Sequence, residues 1–226
     1  MRPAAAGAVL GLALAVGTPT AWYLTRPPAA AGAAVSEVLA TDVPPAPVST
    51  AAPAPDRLPA LTARPAVPSP VEVAPAPVRI AAPALGVDAR VVPAGVRADG
   101  QMDIPENVDR VGWYRFGPAP GEPGSAVLAG HVDDVEQGLG VLARLRTAEP
   151  GDEIVVTDAA GTTTRWRVAA REVISKQVLP LEQLFRRDGP PRLTLITCGG
   201  PFLPEYRSYR DNVVVVAEPV GGTSGA

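Results

Sequence analysis

Three patterns of apolar and polar residues follow one another along the chain. From Pro3 to Thr25 no charge interrupts the run between Arg2 and Arg26, a stretch of 23 residues. As a helix it would measure roughly 34 Å, enough to cross a hydrocarbon core of about 30 Å. Trp22 and Tyr23 stand near its outer end, where amphipathic rings favour the membrane interface. The pattern predicts an N-terminal transmembrane signal-anchor over residues 1–26. A cleaved secretory signal is the alternative, since Ala29, Ala30 and Ala31 suit a peptidase. Residues 27–77 then hold 13 of the 28 prolines, interleaved with Ala, Val, Ser and Thr. Such a segment lacks the periodic apolar face that would offset the entropy of ordering it. It is expected to be a disordered, extended spacer of about 3.1 Å per residue.

The third pattern, residues 78–220, is a series of short apolar runs separated by turn residues. Val78–Ala82, Ala89–Val92, Gln101–Ile104 and Ser125–His131 read as strands, with the turn Gly86–Val87–Asp88 between the first two. Glu153–Thr157 and Thr162–Val173 flank Ala159–Ala160–Gly161 as a hairpin. Arg192–Cys198 and Asp211–Ala217 complete the set, and Val141–Leu145 and Leu181–Phe185 are the helical candidates. About eight short strands with hardly any helix predict an all-β domain, a closed barrel or a sandwich. Some 140 residues suffice for a proper core. A chain starting near Pro77 is therefore expected to fold and act alone, and residues 221–226 to form a flexible tail.

Composition narrows the function. The 226 residues carry 20 basic against 23 acidic side chains, a net charge of −3, which leaves no surplus for neutralising phosphates. Nucleic acid is therefore not an expected partner. Lys176 is the only lysine, a codon-bias pattern of GC-rich bacterial genomes. One cysteine excludes an intramolecular disulfide.

That cysteine, Cys198, ends the run Arg192-Leu-Thr-Leu-Ile-Thr-Cys and precedes Gly199–Gly200. Period-two alternation puts Thr194, Ile196 and Cys198 on one face and Leu193, Leu195 and Thr197 on the other. The thiol thus stands where a rigid strand gives way to flexible backbone. It is either a small buried hydrophobe or, in an exported chain, a group kept because it is used. The single histidine, His131, likewise follows an apolar run and a glycine. A pair formed by these two across neighbouring strands is the economical reading. A thiol with an ordinary pKa near 8.5 needs a base or cation beside it to populate thiolate at neutral pH, about what an imidazole supplies. Asp133, Asp134 and Glu136 lack zinc-ligand spacing and read as a solvated loop, so neither metal nor cofactor is expected. Attack of a thiolate on a carbonyl also needs an oxyanion donor. Arg210, at the mouth of the last strand, is the candidate, and Arg207 is its rival in the same loop.

At these residues the sequence resembles the sortases, cysteine transpeptidases of Gram-positive cell walls. Thr194-Leu-Ile-Thr-Cys198 fits the TLxTC signature, Ala129-Gly-His131 is similar to the histidine strand, and Arg210 precedes the final valine strand as the family arginine does. Gly199–Gly200 and Val111-Gly-Trp-Tyr114 are most similar to class F, with class E the near alternative. The resemblance implies an eight-stranded sortase barrel with Cys198 as nucleophile, His131 as general acid/base and Arg210 as oxyanion or substrate stabiliser. It implies cleavage of an LPXTG-like C-terminal sorting signal between Thr and Gly through a thioester. Transfer to an amino nucleophile, usually a peptidoglycan precursor, would follow. Partners would be secreted proteins bearing that signal, met by a catalytic domain held outside the cell membrane. The loop from about Gln177 to Pro190 would face substrate. Three alternatives stand beside this reading. An L,D-transpeptidase would carry an SHGC-like motif, which is missing. The others are a non-catalytic wall-binding barrel and a sortase-like enzyme acting mainly as a peptide hydrolase.

Overall fold

The computed structural model describes residues 27–40 and 74–221. The expected anchor over 1–26, the spacer between 41 and 73 and most of the expected tail lie outside the described residues. Among those described, no helix is long and apolar enough to cross a membrane.

In chain order the elements are β1 (Ala30–Gly32), α1 (Val35–Ala40), β2 (Pro77–Ala82), β3 (Val87–Ala94), β4 (Arg110–Tyr114) and β5 (Ser125–Ala129). A small ribbon follows, β6 (Asp133–Asp134) with β7 (Gly138–Leu139). Then come β8 (Glu153–Asp158), β9 (Thr163–Ser175), α2 (Leu181–Leu184), β10 (Arg192–Leu203) and β11 (Ser208–Pro219). Eight strands pair in the order β9-β11-β10-β5-β4-β3-β2-β8, and β8 pairs with β9 to close the barrel. Pairing is antiparallel except for β3 with β4 and β5 with β10.

Alternation along the strands sorts the side chains into two apolar sets. The barrel interior holds Ile80, Val111, Leu128, Ile154, Trp166, Leu193, Leu195, Val213 and Val215, with Leu142 and Leu145 buried in the same cluster. The outer face of β5, β10 and β11 carries a second cluster, Val127, Ala129, Ile196, Val214 and Val216. Covering side chains come from α1 (Val35, Val38, Leu39) and from Leu184, with Phe185 and Tyr114 partly buried at its margin.

Three expectations need correcting. Gln101–Ile104 is no strand: Met102 makes a single bridge to Val96, and the strand in this part of the barrel is β4, whose Val111 and Trp113 are buried. Cys198 does not end its strand. β10 runs on to Leu203 through a bulge between Gly199 and Phe202.

The third correction concerns the start of the expected spacer. Residues 27–40 are packed on the barrel rather than extended. β1 adds a ninth strand to β9, with Ala30 opposite Glu172 and Gly32 opposite Ala170. Buried Arg171 reaches from β9 to the Pro28 carbonyl through Nη1 and to the Ala148 carbonyl through Nε, both at 2.7 Å. The Val35 N–H donates to Glu172 Oε2 at 3.1 Å. The physical reason is that α1 has Val35, Val38 and Leu39 at i, i+3 and i+4, one apolar face that the barrel's outer cluster buries.

Candidate active site

β5 and β10 run parallel with Ala129 opposite Ile196. Beyond that pair the Gly130 N–H donates to the Ile196 carbonyl at 3.2 Å. The buried Thr197 hydroxyl donates to the Gly130 carbonyl at 2.8 Å. Carried one residue further, past the end of β5 at Ala129, this register would bring His131 level with Cys198. Both residues are half-buried. Alternation puts Cys198 on the outer face with Ile196, as expected. On the other side Cys198 pairs with Asn212 of β11. Val214, Asn212 and Arg210 share that outer face, while Asp211, Val213 and Val215 point to the barrel interior. Alternation thus assigns Cys198 and Arg210 to the same face of neighbouring strands, and His131 follows directly on the strand that pairs with β10 on its other side.

The bulge after Cys198 is built by close approach. A Cβ on Gly199 would lie 2.7 Å from Val213 Cγ2, and one on Gly200 would lie 2.1 Å from Asp211 Oδ2. Gly200 also has φ +72°, a region where side chains are strained. The two glycines are thus a steric requirement of the β10–β11 ladder, where the sequence suggested flexibility.

Asp211 is buried and receives Arg210, whose Nε and Nη2 donate to its two carboxylate oxygens at 2.8 and 2.9 Å. The Asp211 hydrogen bonds and charge raise the Arg210 pKa further above its ordinary value. The guanidinium is fixed on Asp211 as a charged fork while its side chain stays exposed. Arg207 occupies the left-handed region at the hairpin turn, φ 48°, with its side chain in solvent. The structure brings Arg210, not Arg207, to the strand face of the cysteine.

Asp134 and Glu136 are exposed, as expected of a solvated loop. Backbone N–H groups of Gln137 and Glu136 hold the Asp134 carboxyl below its usual range. Asp133 departs from that reading. It is half-buried and accepts the Tyr209 hydroxyl at 2.5 Å. That bond, burial, the Asp133 charge and then the Cys198 charge push the Tyr209 pKa up to about 12. Tyr209 keeps its proton at neutral pH and donates. The sequence offered one signal for Asp133, its place two residues after His131, and none for Tyr209 or Asp211. Among the described residues no three His, Cys, Asp or Glu side chains gather as a metal site.

A closed all-β barrel with a cysteine, a histidine and an arginine fork on or just beyond three neighbouring strands has the parts of a cysteine acyl-transfer enzyme. The model of the sortase domain matches residues 80–220, and the chain belongs to the sortase family. It is accordingly a cysteine transpeptidase by family, which sets aside both the L,D-transpeptidase and the non-catalytic readings. Solved structures with this fold include sortase C-1 from Actinomyces oris, 21% identical with a TM-score of 0.50 over 64% of this chain and 73% of that one. Sortase A from Corynebacterium diphtheriae is 19% identical, with a TM-score of 0.50 over 70% of this chain and 66% of that one. No curated protein sequence matches the chain.

Proposed function

We propose that the enzyme cleaves an LPXTG-like C-terminal sorting signal between Thr and Gly and passes the acyl group to an amine of the cell wall. The Cys198 thiolate attacks the threonyl carbonyl carbon, forming the C–S bond. The oxyanion is met by the Arg210 fork, which swings from Asp211 or shares its donors with it. The C–N bond then breaks as His131 hands a proton to the leaving glycine nitrogen, giving the thioester. An incoming amine loses its proton to His131 and expels the thiolate. The observation that supports this reading is the parallel register of β5 and β10, which runs to Ala129 opposite Ile196 and so leads His131 and Cys198 out at the same end of two paired strands.

Tyr114 and Phe185, partly buried where they pack against the margin of the outer cluster, offer an apolar surface that suits the leucine and proline of such a signal. Tyr114 and Phe185 meet edge to face at 5.1 Å between centroids. The loop after β9 is pinned there by the Ser125 N–H on the Arg186 carbonyl, 2.8 Å, and the Gly124 N–H on the Gly189 carbonyl, 2.9 Å. Residues 3–25 serve in this reading as a single membrane span with the barrel outside the cell, and residues 41–73 as the spacer. Gly199–Gly200 and Val111–Tyr114 favour class F.

The test is acyl-enzyme trapping against LPXTG- and LAXTG-type peptides, read by intact mass with and without an added amine. A thioester adduct on the wild-type chain, absent from Cys198→Ala, is the expected result. No adduct with any such peptide would remove the sorting-signal reading. Release of free acid in the presence of amine would favour the hydrolase.

A further inference from the structure

Cys198 lies between two segments that must hold still relative to each other. On one side is the loop from Gly130 to Gly140, which carries His131. On the other is the start of β11, which carries Arg210. The loop is anchored inside the barrel by the Thr197 hydroxyl on the Gly130 carbonyl, 2.8 Å. It is closed on itself by the Gly140 N–H on the Val132 carbonyl, 2.9 Å. Its far end is held by Gln137, whose Nε2 donates to the Glu106 carbonyl at 3.0 Å. None of these bonds reaches β11.

The bond that does is Tyr209 Oη to Asp133 Oδ2, 2.5 Å, between side chains 76 residues apart in sequence. Asp133 is two residues past His131, and Tyr209 immediately precedes Arg210. The tyrosine ring is itself held, edge to face against Phe202 at 5.3 Å and 70°. Tyr209 and Phe202 are cross-strand partners in the β10–β11 ladder on the far side of the glycine bulge. A half-buried phenol that stays protonated is an unconditional donor to this carboxylate, so the tie persists across the neutral range.

Resting on the acyl-transfer reading of this site, we propose that Tyr209 and Asp133 form a clasp across Cys198 that aligns the His131 loop with the Arg210 strand. They are positioning residues. Neither moves a proton or meets the oxyanion; each sets where the residues that do so stand. An angstrom of misplacement is worth up to about 10²-fold in rate, so the clasp is expected to be legible in kinetics before it is legible in stability.

The experiment uses the full chain and two readouts. One is the single-turnover rate of acyl-enzyme formation with an LPXTG-type peptide. The other, which needs no peptide, is the alkylation rate of Cys198 by iodoacetamide at neutral pH, which follows the thiolate that a neighbouring imidazolium favours. Tyr209→Phe keeps the ring against Phe202 and removes the donor alone. Both Tyr209→Phe and Asp133→Ala are expected to slow acylation by about tenfold or more, at an unchanged half-saturating peptide concentration, and to slow alkylation as well. The double variant should be no slower than the slower single one, because either change opens the same clasp. Asp133→Asn, whose amide oxygen still accepts the phenol, should restore most of both rates.

Wild-type rates for Tyr209→Phe in both assays would overturn the clasp. So would multiplying effects in the double variant, or Asp133→Asn as damaging as Asp133→Ala, which would make the charge of Asp133 the cause. If the wild type takes no peptide while alkylation still separates the variants in this order, the sorting-signal reading fails and the clasp stands.

Discussion

At the scale of single residues, the proposed function divides the site into groups that react and groups that aim them. Cys198→Ala should abolish cleavage and transfer with the melting temperature nearly unchanged, because a small half-buried side chain becomes a smaller one. His131→Ala should cost about 10²–10⁴ in rate, the usual share of general acid–base catalysis. Wild-type pH–rate behaviour in that variant would mean another group moves the proton. For the arginines the structure supplies a reason that sequence could only approximate. Arg210 leaves a paired strand and is forked onto a buried carboxylate, whereas Arg207 caps a turn in solvent. Arg210→Ala should lower the acylation rate by on the order of 10²-fold, by loss of an oxyanion donor. Arg210→Lys should recover only part of it, since a point charge replaces a planar fork. A single-turnover comparison with Arg207→Ala decides the matter: a larger loss in Arg207→Ala would reassign the role. Cys198, His131 and Arg210 could be named as candidates because each is rare or stands at the mouth of an apolar run. Tyr209, Asp133 and Asp211 could not, because their meaning arises from contacts made across the barrel.

At the scale of elements, β10 and β11 carry most of the site's precision, and the bulge at Gly199–Gly200 is its centre. Cys198 pairs with Asn212 and Gly199 with Asp211, after which the register shifts and resumes at Phe202 with Tyr209. The extra residue lies on β10, so β11 keeps its alternation, with Arg210 on the face of Asn212 and Asp211 buried on the other. Gly200→Ala would drive a methyl group into the Asp211 carboxylate at a backbone angle where it is already strained. The expected cost is about 1–3 kcal/mol of stability, together with displacement of the Arg210 fork. Thermal unfolding and acylation should both suffer. A variant that melts as the wild type would show that the carboxylate can move aside freely. The long runs of this region, Arg192–Cys198 and Asp211–Ala217, announced themselves as strands by composition. The irregular elements did not. β4 lies in Arg110–Tyr114, where Gly112 breaks the apolar run, and Gln101–Ile104 alternates well enough to read as a strand while having no neighbour to pair with beyond one bridge.

At the scale of the whole molecule, the barrel extends beyond the stretch that resembles a sortase. Residues 27–40 read as the start of a proline-rich spacer because three alanines and two prolines hide a strand of only three residues. One signal was present, the Val35, Val38 and Leu39 face of α1, which fits a helix packed on something. In the folded chain the Val173 N–H donates to the Ala29 carbonyl at 2.8 Å, and Gly32, φ +82°, sits so close that a Cβ there would lie 2.3 Å from the Ala169 carbonyl oxygen. Removing the strap would uncover the edge of β9, leave buried Arg171 without the Pro28 carbonyl, and open the outer cluster around Val214 and Val216 to water. Each buried Val or Leu of α1 contributes about 1.5–3 kcal/mol by area, less the entropy of ordering the segment. A chain beginning at Ala74 should therefore melt about 5 °C or more below one beginning at Pro27, the shift that about 1–2 kcal/mol produces at this size. Val38→Asp in the longer chain should reproduce the loss, since a buried carboxylate there has no partner on the apolar face. Acylation per folded molecule should survive both changes, because the register that joins Cys198 to His131 is fixed inside the barrel by Thr197 and Gly130. Equal melting temperatures for the two chains would show that the strap adds nothing to the barrel, and a matching loss of acylation would show that it reaches the site.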